Sequence, residues 1–335
     1  MVNACNFRAA IDFLRKADYN IYENILYENI QEVPAKMKLQ KLAALLVALA
    51  ILILPCAVAE TSSEADWWNI LLLGTDNRSE EHHGRTDSMI ILSVNQATGQ
   101  AKLTSILRDT WVKIEGHGSN KLNAACVFGG PELTMQTINE HFGTDLSDYV
   151  MVNISGLAEI IDLLGGVDLD VTEAERKALN KGLFELSSLS GMEKLEESGE
   201  NVHLNGNQAV AFARIRKIDS DSRRAGRQRT LLTEIAHKLS ANDSVTIIGV
   251  INKLMPYVKT NISLPDLVAL AAVGLKMDLS SIQQFRLPAD KTFKSGMFGN
   301  VWCIKPDFEK NAELLHDFIY NDDSTVAEMN RENRE

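Results

Sequence analysis

Three short apolar runs near the front of the chain constrain its fold more than any other sequence feature. They are Trp68–Gly74, Ser88–Val94 and Ala101–Leu107. Runs of this length, bounded by glycine and turn-forming residues, are typical of buried strands. Asn95–Gly99 is predicted to form a turn, so the second and third runs are expected to pair as a hairpin. The sequence therefore predicts a β-sheet in this part of the chain.

Helical patterns follow these strands and alternate with further strands. Pro131–Phe142 is predicted as a helix with proline at its first position and Gly143 at its stop. Ser155–Leu164 is predicted as a second helix, capped by Ser155 and ended by Gly165-Gly166. The other predicted strands and helices are, in chain order, Tyr149–Ile154, Val167–Val171, Asn207–Ala213, Arg224–Leu239, Val245–Leu254, Leu264–Leu275, Ile282–Leu287 and Phe308–Tyr320.

The length and composition of the chain favour one α/β domain. It has 335 residues, of which 45% are hydrophobic and 24% charged, enough for one large domain or two small ones. The mixture of helix and strand patterns predicts a single three-layer α/β/α domain with a mixed central sheet. Residues 172–203 are polar and are predicted to be irregular or a helical lid. Residues 241–320 are expected to continue the same domain, and residues 321–335 to form a flexible tail.

An apolar segment near the N-terminus indicates where the domain is located. Leu42–Ala59 contains eighteen residues without a charge, and a helix of that length spans about 27 Å, close to the thickness of the bilayer hydrocarbon. Three lysines precede the segment within six residues and three acidic residues follow it within seven. Because positive charge stays on the cytoplasmic side, this asymmetry predicts that most of the chain lies outside the cytoplasm.

Three interpretations of this segment remain open at the level of sequence. Residues 37–59 are a transmembrane anchor that follows a short cytoplasmic segment, residues 1–36. Alternatively, they are a signal peptide that begins at Met37 and is cleaved after Ala57-Val58-Ala59, in which case residues 1–36 are a misassigned start. The third interpretation is a buried core helix. An anchor keeps the domain on the extracytoplasmic face of the cell membrane, whereas cleavage leaves it secreted or associated with the cell wall.

A cluster of basic residues stands out in a chain whose formal net charge is −11. Residues 214–229 read RIRKIDSDSRRAGRQR and hold seven cations against two aspartates. An acidic chain lacks the broad positive surface that general nucleic-acid binding requires, so no nucleic-acid partner is expected. Arginine suits phosphate because its planar fork can make two parallel hydrogen bonds to one anion. The cluster is therefore expected to serve a local purpose.

The spacing within the cluster indicates how its arginines could converge. Arg214 and Arg216 alternate, so an extended segment would point both to one face. Arg224, Arg227 and Gln228 are three or four residues apart, so a helix would present them on one side. The exposed N–H groups of that helix's N-terminus would add further donors. A pyrophosphate would fit such a cage; the alternative is a solvated basic face.

Two aspartates flank the gap between the first two predicted strands. Asp76 follows the end of one strand and Asp87 precedes the other, so both carboxylates would lie at one edge of the sheet if the strands are neighbours. Ligands of open α/β sheets bind beyond strand ends, and two carboxylates that meet a phosphate make a reasonable Mg²⁺ (or Mn²⁺) site. The alternative is structural: Asp76 caps a turn and Asp87 pairs with Arg85.

Further charged residues are candidates for the same site. Arg108 ends the third strand and is either an anion contact or the partner of Asp109. Lys121 is predicted to lie in a loop, as a phosphate ligand or as a solvated lysine. His82-His83 are interpreted as a pair in a mobile loop rather than metal ligands, and no serine has the GxSxG context of a hydrolase.

The four cysteines exclude one class of site and leave one question open. None belongs to a CxxC pair, so a zinc site is not expected. Cys126 and Cys303 lie beyond the apolar segment. If the domain is outside the cytoplasm they could form a disulfide, and otherwise they would be buried free thiols.

Six segments together resemble the LytR-CpsA-Psr family of cell-envelope proteins. They lie in the order found in that family and cover about residues 68–240. We expect residues 66–240 to be the catalytic domain. The segments are NILLLGTDNR, GRTDSMIILSV, SILRDTWVKI, KLNAACVFGG, the DLLGGVDLDV run and LNGNQAVAFARIRKIDSDSRRAGRQR.

The resemblance implies an extracytoplasmic phosphotransferase attached to the membrane. Such an enzyme takes a glycopolymer from a polyprenyl-pyrophosphate carrier and joins it to peptidoglycan through a phosphodiester bond. The polymer itself, wall teichoic acid, capsule or another glycan, stays open. The alternatives are a polyprenyl-pyrophosphate pyrophosphatase and a non-catalytic lipid-binding or regulatory protein of the cell envelope.

The resemblance also implies roles for particular residues. Asp76 and Asp87 resemble the carboxylates that hold Mg²⁺. Arg108 is expected to act in catalysis, and Asp87 or Asp109 is the candidate to deprotonate the attacking hydroxyl. The set that resembles the pyrophosphate-binding residues is Arg85, Arg108, Lys121, Arg214, Arg216, Arg224 and Gln228. The expected lining of a pocket for the polyprenyl chain is Val127, Phe128, Ile154, Leu157, Ile160, Ile161 and Leu164.

Overall fold

The computed structural model describes residues 64–76, 84–185, 193–216, 218, 220–240, 249, 251–274 and 279–321. Within these ranges no helix has both the length and the apolar character required to cross a membrane. The predicted membrane segment, the His82-His83 pair and half of the predicted helix Val245–Leu254 lie outside them, and the described residues of that helix, 249 and 251–254, are helical. Residues 322–335 of the predicted tail also lie outside the described ranges.

A six-stranded mixed sheet forms the centre of the described domain. Its order is β10-β3-β2-β1-β6-β9, in which β1–β6 and β3–β10 are parallel and the other neighbours antiparallel. The strands along the described chain are β1 (Trp67–Thr75), β2 (Thr86–Asn95), β3 (Ala101–Ile106), β4 (Trp111–Ile114), β5 (Gly118–Lys121), β6 (Asp148–Asn153), β7 (Val167–Val171), β8 (Gly199–Leu204), β9 (Val258–Thr260), β10 (Gln283–Leu287), β11 (Phe293–Phe298) and β12 (Val301–Pro306).

The first three strands are where the sequence predicts them, and the β2–β3 hairpin is confirmed. The strand predicted over Val167–Val171 also forms, but it pairs with β8 in a separate two-stranded sheet. Neither β8 nor the hairpins β4–β5 and β11–β12 were predicted. The lid predicted over residues 172–203 therefore contains a strand as well as a helix.

α-Helices pack around these strands, and seven of them have both ends in the described ranges. They are α1 (Ala125–Phe142), α2 (Ile154–Leu163), α3 (Glu173–Glu185), α4 (Gly206–Ala213), α5 (Asp221–Ser240), α6 (Leu264–Gly274) and α7 (Phe308–Tyr320). α1 is broken at Gly129 and Gly130, where the latter has a φ of 69°, so Pro131 begins its second part as predicted. Gly143, with a φ of 65°, ends the helix.

The predicted cap of α2 is wrong by two residues. Asn153, not Ser155, is the N-cap, because its side chain accepts a hydrogen bond of 2.7 Å from the backbone N–H of Gly156. Asn and Ser cap helices equally well, so local sequence does not decide between them. The N-cap is decided instead by where strand β6 ends, which is at Asn153.

The faces of the sheet are covered by different helices. Alternate residues of β1 and β2 pack with α1 and α7 in one buried cluster, which includes Leu71, Leu73, Met89, Ile91, Ile138 and Phe318. On the other face α5 lies against β3 and β10. There Arg229 donates hydrogen bonds of 2.7 Å to the Ser105 hydroxyl and 2.8 Å to the Gln284 amide oxygen. α/β architecture around a mixed sheet is thus confirmed.

A second buried cluster supports the segment that carries the basic residues. It joins α2, α4 and α5 to the two-stranded β7–β8 sheet and includes Ile161, Leu169, Phe212, Ile215 and Leu231. α4 begins with a capping box in which Asn205 and Gln208 satisfy each other's backbone N–H groups. Gly206, the first residue of α4, lies so close to α2 that an added Cβ would be 2.0 Å from the carbonyl oxygen of Ala158.

Gly206→Ala is expected to destabilise the domain by about 3 kcal/mol, because backbone must move to admit the methyl group. The matched control is Gly182→Ala in α3, where an added Cβ would meet its nearest neighbour, the Ala211 side chain, at 3.9 Å. That control should be neutral or stabilising by up to about 1 kcal/mol, since alanine favours helix. Urea unfolding of the purified chain measures both; equal effects would contradict the close contact.

Candidate functional site

Asp87 occupies an irregularity in the pairing of β1 with β2. Gly74 lies opposite Ser88, and Thr75 lies opposite Thr86, so Asp87 is an extra residue in β2. Such a bulge bends the strand and re-aims a side chain, and bulges are frequent beside active sites. The strands approach closely here: an added Cβ on Gly74 would be 3.2 Å from that of Ser88.

Three arginines from two distant parts of the chain surround the Asp87 carboxylate. Arg108 Nη1 lies 2.5 Å from Oδ1. On the other oxygen, Arg216 Nη2 donates at 2.7 Å and Arg214 Nη1 at 3.4 Å. The structural alternative, in which Asp87 pairs with Arg85, is therefore wrong: Arg85 is exposed, and its side chain has no partner among the described residues. Its backbone carbonyl accepts from the N–H of Asp76 at 3.2 Å.

Local structure explains why Arg214 and Arg216 both reach the site. Arg214 ends α4, and its backbone N–H bonds to the carbonyl of Ala211. Ile215 between them is 4% exposed and belongs to the second buried cluster. Arg214 itself keeps helical backbone angles, with φ −99° and ψ −1°, yet its guanidinium and that of Arg216 both reach Asp87 Oδ2 while Ile215 is buried between them.

Arg224 lies in the first turn of α5 and is buried, with 4% of the residue exposed. Its Nη1 is 2.8 Å from the Asp221 carboxylate. Even so, neither Nη1 nor Nε finds an acceptor with hydrogen-bond geometry in the described part of the chain. Burial and the neighbouring charge of Arg108 lower the pKa of Arg224. A buried donor without an acceptor is costly, so this guanidinium favours an anion.

Asp109 is held beside this group by a second set of contacts. Lys121 Nζ lies 2.8 Å from Asp109 Oδ1, and Arg108 Nε lies 3.6 Å from Oδ2. Arg108 therefore stands between the two aspartates. Lys121 is 26% exposed at its side chain and ends strand β5, so it is neither in a loop nor simply solvated. The Asp109 carbonyl accepts from the backbone N–H of Ile304 at 3.0 Å.

Asp87 titrates abnormally because of its surroundings. Burial raises the pKa of its carboxyl, but the charges of Arg216, Arg108 and Arg214 outweigh that effect, so the pKa lies below its ordinary value. Asp87 is therefore an anion at neutral pH and a poor proton acceptor. Its lowered pKa stabilises the folded state above the ordinary carboxyl pKa, and this contribution is lost as pH falls through the folded value.

The remaining predicted site residues take different positions. Gln228 lies one turn beyond Arg224 on α5 and is half-buried. Arg227, which the spacing placed beside them, is buried and tied to the fold: Nη2 donates to the Ile215 carbonyl at 2.8 Å and Nη1 to Glu175 at 3.4 Å. Asp76 is exposed at the end of β1, and no side chain in the described ranges forms a hydrogen bond with its carboxylate.

The predicted lipid-pocket residues do not share one surface. Val127 and Phe128 are exposed, and the Phe128 ring stacks on His117 at 4.3 Å between centroids. The α2 residues Ile154, Leu157, Ile161 and Leu164 belong to or pack against the second buried cluster. Cys126 and Cys303 are both buried free thiols, so no disulfide joins them. Burial raises the pKa of Cys126 to about 11.

The donor set around Asp76 and Asp87 is compatible with a hard cation. Among the described residues no three His, Cys, Asp or Glu side chains form a complete metal cluster. Mg²⁺, however, uses one or two carboxylates and fills its shell with water and phosphate oxygens. A carboxylate offers about four acceptor positions, and the three arginine contacts leave one position on Asp87 Oδ1. Asp76 is exposed.

Fold and site together define an α/β protein in which three arginines surround one carboxylate at the end of the central sheet. The LytR_cpsA_psr family model matches residues 48–315, and the chain belongs to this family. It is 32% identical over 241 residues to the polyisoprenyl-teichoic acid–peptidoglycan teichoic acid transferase TagU of Bacillus anthracis, covering 70% of this chain and 73% of the relative. With the protein of the same name from Halalkalibacterium halodurans it is 34% identical over 197 residues, covering 58% and 60%.

Solved structures share the fold. Bacillus subtilis TagV superposes with a TM-score of 0.61 at 25% identity, over 77% of this chain and 98% of TagV. TagT bound to LI-WTA gives 0.61 at 24% identity, over 79% and 90%. TagT (YwtF) with bound octaprenyl pyrophosphate lipid gives 0.57 at 22% identity, over 83% and 93%.

Asp87→Asn is expected to lower the free energy of unfolding by about 1–3 kcal/mol at neutral pH, because three guanidiniums lose their shared counter-ion. The loss should shrink in acid, where the wild-type carboxyl is also neutral. Without divalent cations, inorganic pyrophosphate should stabilise the variant more than the wild type, since the anion replaces the missing charge. Urea unfolding with EDTA, with and without pyrophosphate, measures this.

The control for that experiment is Asp168→Asn. Asp168 bonds to Lys238 and His203 on the surface, away from the three arginines. Its loss should leave the response to pyrophosphate unchanged. An identical pyrophosphate response in both variants would contradict the assigned anion site.

Proposed function

We propose that this chain transfers a glycopolymer from a polyprenyl-pyrophosphate carrier to peptidoglycan through a phosphodiester bond. The observation that carries the proposal is the convergence of Arg108, Arg214 and Arg216 on Asp87, with buried Arg224 beside them. Four guanidiniums around one point provide the charge that a pyrophosphate needs. The transferase names of the TagU relatives and the pyrophosphate lipid in the TagT structure support the same chemistry.

The reaction requires charge neutralisation more than covalent participation by the protein. A peptidoglycan sugar hydroxyl attacks the phosphorus that carries the polymer, and the bridging P–O bond of the pyrophosphate breaks. The electron pair leaves with polyprenyl phosphate, and the hydroxyl proton goes to a carboxylate. The arginines stabilise the negative charge that moves onto the leaving phosphate.

Asp109 is the proton acceptor that this geometry favours. The lowered pKa of Asp87 makes that carboxylate a weak base, and its oxygens are engaged by three arginines. Asp109 has one strong ion pair, to Lys121, and a longer contact with Arg108. The hydroxyl proton can therefore pass to Asp109 while Asp87 continues to hold the guanidiniums in place.

Mg²⁺, or Mn²⁺ in its place, would be held by Asp76 and Asp87. A bound divalent cation supplies further neutralisation of the pyrophosphate oxygens. The contribution of the chain is a pair of anionic oxygens at one end of the sheet. Asp87 remains charged at neutral pH because its pKa is lowered, and Asp76 is exposed at the end of β1.

We further propose an extracytoplasmic location at the membrane. The uncharged run Leu42–Ala59 with lysines before it supports either an anchor or an export signal. A carrier lipid and a peptidoglycan acceptor both require this location. The net charge of −11 supports the absence of a nucleic-acid partner.

Arg108→Ala and Arg214→Ala should each reduce polymer transfer at least about a hundredfold, because each removes charge from the reacting phosphates. Arg223→Ala is the matched control, since Arg223 is exposed in the same first turn of α5 as Arg224. Transfer is measured with purified lipid-linked polymer and uncrosslinked peptidoglycan, and unchanged melting temperatures show that the fold is intact. Full activity of both site variants would remove the proposal.

The same assay separates transfer from hydrolysis. Water in place of the sugar hydroxyl would make the enzyme a pyrophosphatase that releases polyprenyl phosphate. A transferase should release little of it until acceptor glycan is added, and then form a joined product. Release that is unaffected by acceptor, without joined product, would identify the hydrolase instead.

Removal of divalent cations with EDTA should abolish transfer, and Mg²⁺ should restore it. Asp76→Asn should raise the Mg²⁺ concentration for half-maximal rate about tenfold, since one of two carboxylate ligands becomes neutral. Asp170→Asn, an exposed carboxylate on β7, is the control. Binding of Mn²⁺ in the presence of pyrophosphate, followed by electron paramagnetic resonance, gives a second measurement. Unchanged cation dependence in Asp76→Asn would exclude it as a ligand.

A further inference from the structure

The β11–β12 hairpin is fixed to the candidate site by its second strand. The backbone N–H of Ile304 donates to the Asp109 carbonyl at 3.0 Å, and Ile304 pairs with Thr110 in a parallel bridge. The Ile304 side chain packs with Leu107 and Ala225. Leu107 directly precedes Arg108, and Ala225 directly follows Arg224. The hairpin is thus anchored between two elements that carry site arginines.

One face of this hairpin leaves large apolar side chains exposed. Met297 and Trp302 are opposite each other in the register and lie on the same face as Ile304. They are 63% and 41% exposed, respectively. Large exposed apolar side chains that share a surface indicate a binding site.

Trp302 is linked to the catalytic carboxylate through one lysine. Lys121 Nζ lies 6.0 Å from the centroid of the Trp302 ring, a cation–π distance, and the same amine is 2.8 Å from Asp109 Oδ1. The Lys121 amine is therefore shared between the Trp302 ring and the carboxylate that receives the hydroxyl proton in the proposed reaction. A ligand group that reaches Lys121 from solvent would lie near this ring.

The chemistry of the reaction defines that group. In the donor, the phosphorus under attack carries a sugar of the polymer. In the acceptor, the attacking oxygen belongs to a sugar of the glycan strand. Either sugar ring is separated from the phosphorus by one oxygen. Pyranose rings present weakly positive C–H groups that pack on the negative face of an aromatic ring, and an amine nearby can donate to their hydroxyls.

We propose that Trp302 and Met297 form a binding surface for a pyranose ring of the sugar that the reaction joins, or that is already joined, through one oxygen to the reacting phosphorus. The proposal rests on the function proposed above and adds a sugar subsite to the anion site. The opposite hairpin face differs: there Lys305 covers Phe298, with its amine 4.0 Å from the ring centroid. The Lys121 amine approaches the ring of Trp302, so the Trp302 face is the one directed to the site.

Direct binding tests the subsite without turnover. The chain has four tryptophans, so incorporation of 5-fluorotryptophan gives four ¹⁹F resonances, and Trp302→Phe identifies that of Trp302. Two probes are titrated: a soluble N-acetylglucosamine–N-acetylmuramic acid disaccharide, and a short-chain prenyl pyrophosphate that carries one polymer sugar. A shift of the Trp302 resonance with the first probe assigns the acceptor ring, and a shift with the second alone assigns the donor ring.

Kinetics then check the same assignment. Trp302→Ala should raise KM about tenfold for the substrate that supplies the ring, roughly 1.4 kcal/mol of binding, with a smaller effect on kcat. Trp302→Phe should recover part of the loss. Val301→Ala is the matched control, because Val301 is 39% exposed on the other face of the same hairpin. Circular dichroism shows whether each variant is folded.

Three results would overturn the subsite. One is a Trp302 resonance that moves with neither sugar probe, whether or not the enzyme turns over. Another is an equal KM effect of Val301→Ala and Trp302→Ala. The last is loss of binding to anionic lipid vesicles in Trp302→Ala with unchanged sugar binding, which would assign the face to the membrane surface. If the arginine variants lose transfer while the Trp302 resonance still shifts with a sugar probe, both the proposed function and the sugar subsite stand.

Discussion

The ion cluster around Asp87 is the interaction on which the site depends. One carboxylate accepts from three guanidiniums, and those guanidiniums come from the end of β3 and from the segment after α4. Like charges at this separation repel strongly in a partly buried environment, so the arginines converge only because an anion lies between them. The bulge in β2 places that anion outside the regular pairing of β1 with β2. A one-residue irregularity in a hairpin thereby connects two distant parts of the chain.

The arginines of helix α5 differ in their contacts: two bond to other parts of the fold, and within the described residues Arg224 does not. Arg229 bonds to the sheet, and Arg227 bonds to the backbone of Ile215, which fixes the segment between α4 and α5. Arg224 instead keeps buried donors for which the described residues provide no acceptor. Its pKa is lowered by burial and by Arg108, so the folded state carries an unfavourable charge in the absence of an anion. The structural arginines hold the helix in the position where, under the proposed function, this charge would bind phosphate.

Local sequence patterns predicted those parts of the fold that local physics determines. The apolar runs of β1, β2 and β3 form the strands expected of them, and Pro131 and Gly143 bound a helix where their backbone preferences place it. The alternation of Arg214 and Arg216 was also sufficient to predict a shared face. What failed depends on contacts distant in sequence: the cap of α2, the pairing of β7 with β8, the role of Arg227, and the β11–β12 hairpin. The sequence does not indicate that Trp302 of this hairpin is near Asp109, because the bridge between Ile304 and Thr110 is what brings the hairpin there.

The two aspartates give the site two sides with different tasks. Asp87 and its arginines concentrate charge, and a carboxylate held anionic by three cations is a stable counter-ion but a weak base. Asp109 faces Lys121 and, through it, the exposed indole of Trp302. Arg108 contacts both carboxylates, and in the proposed reaction it faces the phosphate at which bond formation and bond cleavage meet. A pyrophosphate substrate has the same division, with an anionic lipid phosphate on one side and a sugar on the other, so the proposed order of groups across the site matches that of the substrate.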